Sequence, residues 1–267
     1  MTSSLTTSAA DALLICETTD GVATLTLNRP GQFNALSSAL IDEMQSMLIR
    51  AATDPGIRVV VLAARGRGFC AGHDLKEIRA MADVAEVEAL FARCSRMMMT
   101  LTRLPQPVIA KVHGLATAAG CQLVASCDLA VASAAATFAT PGVNIGAFCA
   151  TPSVALGRAV GRMHAMEMLL TGEAIGAEHA REIGLVNRVV PSVEEAMVEA
   201  ERFAAQVLEG APGALLQTRR LIEEFWGRSV KSDIELALKH HMQARTSAEA
   251  REGIAAFNEK RSPNWVK

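Results

Sequence analysis

Apolar and polar positions alternate along residues 21–28, GVATLTLN, with Ala23, Leu25 and Leu27 set against Val22, Thr24 and Thr26. A period of two puts the two sets on opposite faces of a strand. The period then lengthens. Leu40, Met44, Met47 and Leu48 recur at helical spacing, which predicts an amphipathic helix over 37–52 that ends at a DPG breaker. Residues 57–64, IRVVVLAA, are a nearly unbroken apolar run between breakers, the mark of a buried parallel strand. PVIAKVHG (107–114) reads the same way, and CDLAVAS (127–133) adds another strand. Helices are expected at 84–103 and at about 119–125. Repeated strand–turn–helix units predict an α/β fold with right-handed crossovers. After Val190 the pattern changes: 193–209, 212–225, 232–244 and 247–260 all read as helix with no strand between. The expected division is a tail (1–12), an α/β core (13–193) and a helical region (194–267).

Composition narrows the class. The chain has 267 residues, half of them apolar, and a formal net charge of −2. That balance argues against nucleic acid or a membrane surface as a partner. No run approaches the roughly 18 apolar residues that span a bilayer. The first basic residue is Arg29, which argues against a secretory signal. The six cysteines show no metal-ligand spacing and read as buried, reduced thiols, so a cytoplasmic protein without a metal is expected. His240 and His241 are adjacent and fit no metal motif.

Two turns carry the candidate chemistry. In FCAGHDLKEI (69–78), the strand at 57–64 runs out through glycines 66, 68 and 72 to His73 and Asp74. In ATAAGCQ, the strand at 107–114 gives way to small residues that open a helix. Turns of this kind leave backbone N–H groups unpaired, and a helix start adds positive partial charge. If the two strands are neighbours, one N–H from each turn can bracket a carbonyl oxygen, worth roughly 3 kcal/mol per donor as negative charge develops. Ordinary strand–helix connections explain the same local pattern. The residue that follows the second turn is Gln122, an amide that cannot exchange a proton near neutral pH.

Six segments, taken together, resemble the crotonase (enoyl-CoA hydratase/isomerase) family: LNRPGQFNALS, AARGRGFCAGHDLKEI, PVIAKVHGLATAAGCQLVASCDLAVAS, FATPGVNIG, MLLTGEAIGAEHAREIGLVNRVVP and REGIAAFNEKRSP. Their order and spacing cover nearly the whole chain. The resemblance implies an α/β fold built as a spiral of ββα turns with C-terminal helices that assemble trimers or dimers of trimers. It implies an acyl-CoA or enoyl-CoA thioester partner, with coenzyme A as part of that substrate or ligand and no tightly bound cofactor. The thioester oxygen would accept from the backbone N–H groups of His73 and Ala119. Arg29, Ala35, Ala71, Gly72, Asp74, Leu75 and Lys76 would lie along the nucleotide and pantetheine path, closed by Phe257 and Lys260. Arg29 and Lys76 read equally as solvated surface charge.

The family pattern breaks where its hydratases carry two glutamates, at Gln122 and Gly142. General acid and base groups each contribute roughly 10²–10⁴-fold, so standard hydration is not expected. A non-enzymatic acyl-CoA-binding or regulatory protein stays open, as does an isomerase, a hydrolase or a lyase in which the substrate supplies the missing acid. Asp74 and Glu77 are expected to cap the helix after the first turn, and Asp128 to be structural. Cys121 reads as a buried small residue, His113 as a structural histidine beside the pocket, and Asn144 as a polar group at the acyl end. Met97, Met98 and Met99 place the 84–103 helix partly in the core and partly at the acyl site.

Overall fold

The computed structural model describes residues 12–145, 149–225 and 248–264. Most of the expected tail, the helix at 232–244 and the His240–His241 pair lie outside the described residues.

Strand β1 (Leu14–Thr19) pairs antiparallel with β2 (Val22–Leu27). Asp20 and Gly21, both at positive φ (49° and 83°), make the two-residue turn. Helix α1 (Ser38–Thr53) follows, capped by the Ser37 hydroxyl on the Leu40 N–H at 3.3 Å. Then come β3 (Val59–Ala64), β4 (Gly68–Cys70), α2 (Leu75–Ala80), α3 (Val84–Arg103), β5 (Val108–Val112) and β6 (Leu115–Thr117). The chain continues through α4 (Ala119–Ala125), β7 (Leu129–Ser133), β8 (Thr137–Ala139) and a 3-10 turn at Pro141–Ile145. Helices α5 (Ala150–Ala159) and α6 (Arg162–Thr171), strand β9 (Ile175–Gly176), helix α7 (Ala177–Glu182) and strand β10 (Arg188–Val190) complete the spiral. Helices α8 (Val193–Leu208), α9 (Pro212–Phe225) and α10 (Ala248–Glu259) end it.

Two sheets result. The larger has the order β1-β2-β3-β5-β7-β10 and is parallel from β2 onward. The smaller, β4-β6-β8-β9, is parallel except for its last pair. The successive pairs β3–β4, β5–β6 and β7–β8 each contribute one strand to each sheet, while β1 and β2 both join the larger. The smaller sheet was not anticipated, because its strands have two or three residues and show no period.

Strand β3 is buried on both faces, as its unbroken apolar run predicts. Val60 and Leu62 join the main core with α1 and α3, while Val59 and Val61 face a second cluster built by α8. Ala196, Ala200, Phe203 and Ala204 of α8 form that stripe, and the alanines bring the helix close to the sheet. The boundary expected near 194 therefore falls at a helix that covers the sheet's second face.

Candidate active site

Strand β4 delivers the first turn. Leu36 and His73 form a parallel bridge in which the Leu36 N–H donates to Gly72 O at 2.7 Å and the Asp74 N–H to Leu36 O at 3.1 Å. In that arrangement the N–H of His73 points away from Leu36. Asn34 braces the segment: its amide donates to Gly68 O at 2.8 Å and Arg65 O at 2.9 Å, and its oxygen accepts from the Arg29 N–H.

Strand β6 delivers the second turn. Ala118 holds φ 52° and ψ −117°, a conformation an L-residue adopts at a cost of order 1–3 kcal/mol, and Ala119 is the first residue of α4. Among the described residues, neither the His73 nor the Ala119 N–H donates to a backbone acceptor. The two turns touch at Gly72 (φ +83°). A Cβ there would lie 3.0 Å from Thr117 O and from Ala118 Cβ, and 3.2 Å from Ala119 N. Behind them, a Cβ on Gly120 would lie 2.0 Å from Cys70 O, so only glycine lets α4 sit on β4.

A cavity of about 400 Å³ opens beside the pair, lined by His73, Ala119 and Gly142 together with Phe91, Asn144 and Thr151. Ala71 and Leu75 extend its wall. No carboxylate of the described residues lines it. The His73 ring packs on Phe91 with centroids 4.5 Å apart. Burial pushes its pKa below the ordinary 6.5, so the imidazole is neutral at pH 7. Its Nε2 and the Thr117 Oγ1 are buried without a hydrogen-bond partner among the described residues.

Gln122 is buried but does not line this cavity. The Thr151 hydroxyl donates to its Oε1 at 2.9 Å, and Gln122 faces a second cavity of about 300 Å³ with Met98 and Met99. Thr151 lines both cavities and separates them. Sequence reasoning missed Thr151, since a lone hydroxyl next to proline carries no pattern. Met97 belongs to the core, so the α3 methionines divide between core and cavity.

The other candidates fall into place. Arg29 is neither solvated nor free: it is half-buried, pairs with Asp74 at 3.0 Å and donates to Ala35 O. Asp74 caps α2, accepting from the Lys76 and Glu77 amides. Burial alone would raise its carboxyl, but Arg29 and those amides outweigh burial and hold it below the ordinary range. Glu77 does not cap α2; it accepts from the Ser38 N–H at 3.0 Å and so caps α1. Lys76 and Lys260 are exposed, and the side chain of Phe257 lies outside the described residues. His113 is buried, bonded to Gly66 O at 2.7 Å, and away from the cavity. Cys121 is a buried thiol pushed up to about 12 by burial and the nearby Cys149, which argues against a nucleophilic role. Asp128 accepts from the Val108 N–H at 2.7 Å and pairs with Arg219, a structural role. All six cysteines are free, and Cys16 is exposed rather than buried.

The paired sheets, the ββα spiral and the cavity between two strand-end turns define a crotonase-type fold. The model for enoyl-CoA hydratase/isomerase matches residues 17–267, and the chain belongs to that family. It is 41% identical over 254 residues to the mitochondrial enoyl-CoA hydratase domain-containing protein 3 of Xenopus laevis, covering 95% of this chain and 86% of that protein. A Mycobacterium smegmatis enoyl-CoA hydratase crystal structure superposes with a TM-score of 0.92 at 46% identity, over 96% of this chain and 100% of the other. The human enoyl-CoA hydratase domain-containing protein 3 structure gives 0.91 at 39% identity, over 95% and 100%. Among the described residues no helix is long and apolar enough to cross a membrane.

Proposed function

We propose that the protein binds acyl-CoA thioesters, with the carbonyl oxygen held by the N–H groups of His73 and Ala119 and the acyl group in the adjoining cavity. The observation that supports this is the Gly72 contact, which brings the turn before His73 against Ala119 beside an apolar cavity, with neither residue's N–H donating to a backbone acceptor among the described residues. Two such donors stabilise an oxyanion, or polarise a bound thioester. The cavity lacks the means for two-carboxylate hydration: Gly142 carries no side chain, and Gln122 is an amide turned to Thr151. The chemistry compatible with it is enolate-type chemistry in which the substrate brings its own acid or base, such as isomerisation or a substrate-assisted lyase step, or hydrolysis. The missing carboxylates also support a second reading, an acyl-CoA-binding protein without turnover. We carry with both readings a homotrimer or dimer of trimers, which light scattering measures directly.

Calorimetry with acetyl-, hexanoyl- and palmitoyl-CoA tests the proposal. Micromolar binding of at least one is expected, and no detectable binding of any would overturn it. A turnover screen read by mass spectrometry then separates the two readings, since a binding protein gives no product from any thioester it holds.

A further inference from the structure

Two short sequences, His164–Glu167 and His179–Glu182, repeat a His-x-x-Glu pattern outside the cavity. Each histidine is the third residue of its helix, α6 or α7. A spacing of three sets each histidine and glutamate on one helix face. The left-handed Gly172 (φ +67°) ends α6 and turns the chain into β9, from which α7 starts, so the two helix starts come together. The rings of His164 and His179 meet edge to face with centroids 6.0 Å apart. One nitrogen from each ring and one Glu167 carboxylate oxygen lie within 4.8 Å of one another. Nδ1 of His179 meets the Glu182 carboxylate at 3.3 Å, which leaves its other nitrogen for coordination.

We propose that His164, Glu167 and His179 bind a divalent transition-metal ion of zinc-like chemistry, with Glu182 orienting His179 from behind. Two imidazoles and one carboxylate select zinc, nickel or copper over magnesium or calcium. Ligand atoms at about 2.1 Å from a tetrahedral ion are about 3.4 Å apart, so any gap within the 4.8 Å limit closes by at most about 1.4 Å, shared between two side chains at the surface. The Glu182 contact is the carboxylate–histidine–metal arrangement that fixes the ring's tautomer. Arg181, two residues from His179, is held by Glu178 at 2.9 Å. Three protein ligands leave a fourth position for water or a small anion. The site is joined to the cavity wall: the Thr140 hydroxyl donates to Met168 O of α6 at 2.9 Å, and Gly172 sits against Pro141 and Asn144.

The test uses the untagged full chain titrated with zinc and magnesium salts by calorimetry, and the absorption spectrum of the cobalt-loaded protein. One zinc per chain with a micromolar Kd is expected, with no magnesium binding in the same range. The cobalt spectrum should show tetrahedral nitrogen and oxygen ligation without thiolate charge transfer, which separates this site from the exposed Cys16. His164→Ala and His179→Ala should each weaken zinc at least about 100-fold, and Glu182→Gln by about 10–100-fold with the fold intact by circular dichroism. Zinc no tighter than millimolar, equal affinity for magnesium, or zinc binding that survives the double His164→Ala/His179→Ala change would each overturn the proposal.

Discussion

Replacing Gly72 with alanine strikes the contact that holds the two turns together. The new Cβ meets Thr117 O and Ala118 Cβ at 3.0 Å and Ala119 N at 3.2 Å. Two of these three neighbours are backbone, so relief requires the turn itself to move. At φ +83° a side chain also adds strain of about 1–2 kcal/mol. Crowding of this kind in a packed interior costs about 1–3 kcal/mol more, giving roughly 2–5 kcal/mol in all. At the usual unfolding entropy per residue, that lowers Tm by about 4–9 °C for a chain of this size. The displaced Ala119 amide should also weaken acyl-CoA binding. Gly157→Ala is the control: nothing lies within 4 Å of a Cβ there, and it sits inside α5. It should stabilise by about 0.5–1 kcal/mol and leave binding alone. Scanning calorimetry and acyl-CoA titration of both variants decide the matter. A Gly72→Ala protein with wild-type Tm and wild-type affinity would refute the argument that this glycine joins the turns.

Further outcomes follow from the same geometry. Gln122→Glu with Gly142→Glu should raise crotonyl-CoA hydration from a low base, while Gln122→Glu alone should do little, because that side chain is turned to Thr151; a single change that matches the double one contradicts this placement. Arg219→Met removes the partner of Asp128 and the guanidinium donor of the Thr102 and Leu104 carbonyls, so urea unfolding should show a loss of about 1.5–3 kcal/mol; a loss under about 1 kcal/mol would be inconsistent with a buried guanidinium that holds these groups. The folded Asp74 carboxyl lies below its ordinary 3.8, so it stabilises above that value and the contribution is lost as pH falls through the folded one. Asp74→Asn should therefore lower Tm at pH 7, and the gap to wild type should narrow as pH falls below 3.8; a gap that does not change with pH would contradict the pairing with Arg29.

Long periodic segments made the larger sheet and its helices legible. Strand β3, helix α3 and helix α4 fall where their patterns put them, because burial on defined faces writes a period into the residues. Strand β1 escaped notice, since its burial fades after Ile15, although the Asp20-Gly21 turn that pairs it was present. The smaller sheet escaped because three residues cannot show a period. Its position depends on contacts distant in sequence, such as Asn34 on Gly68 O. At the site, the turns and glycines were legible as local chemistry. The direction of Gln122, the bracing role of Arg29 and the meeting of His164 with His179 were not, because each is set by a partner on another element.

In the proposed function, the amides of His73 and Ala119 grip a thioester carbonyl. Infrared difference spectroscopy of hexanoyl-CoA labelled with carbon-13 at the carbonyl measures that grip directly. Two N–H donors withdraw electron density from the C=O bond, so its stretch in the bound state should fall below the value for the same thioester in water. Gly72→Ala should return part of the shift. A bound thioester whose carbonyl stretch equals or exceeds its value in water would contradict the account.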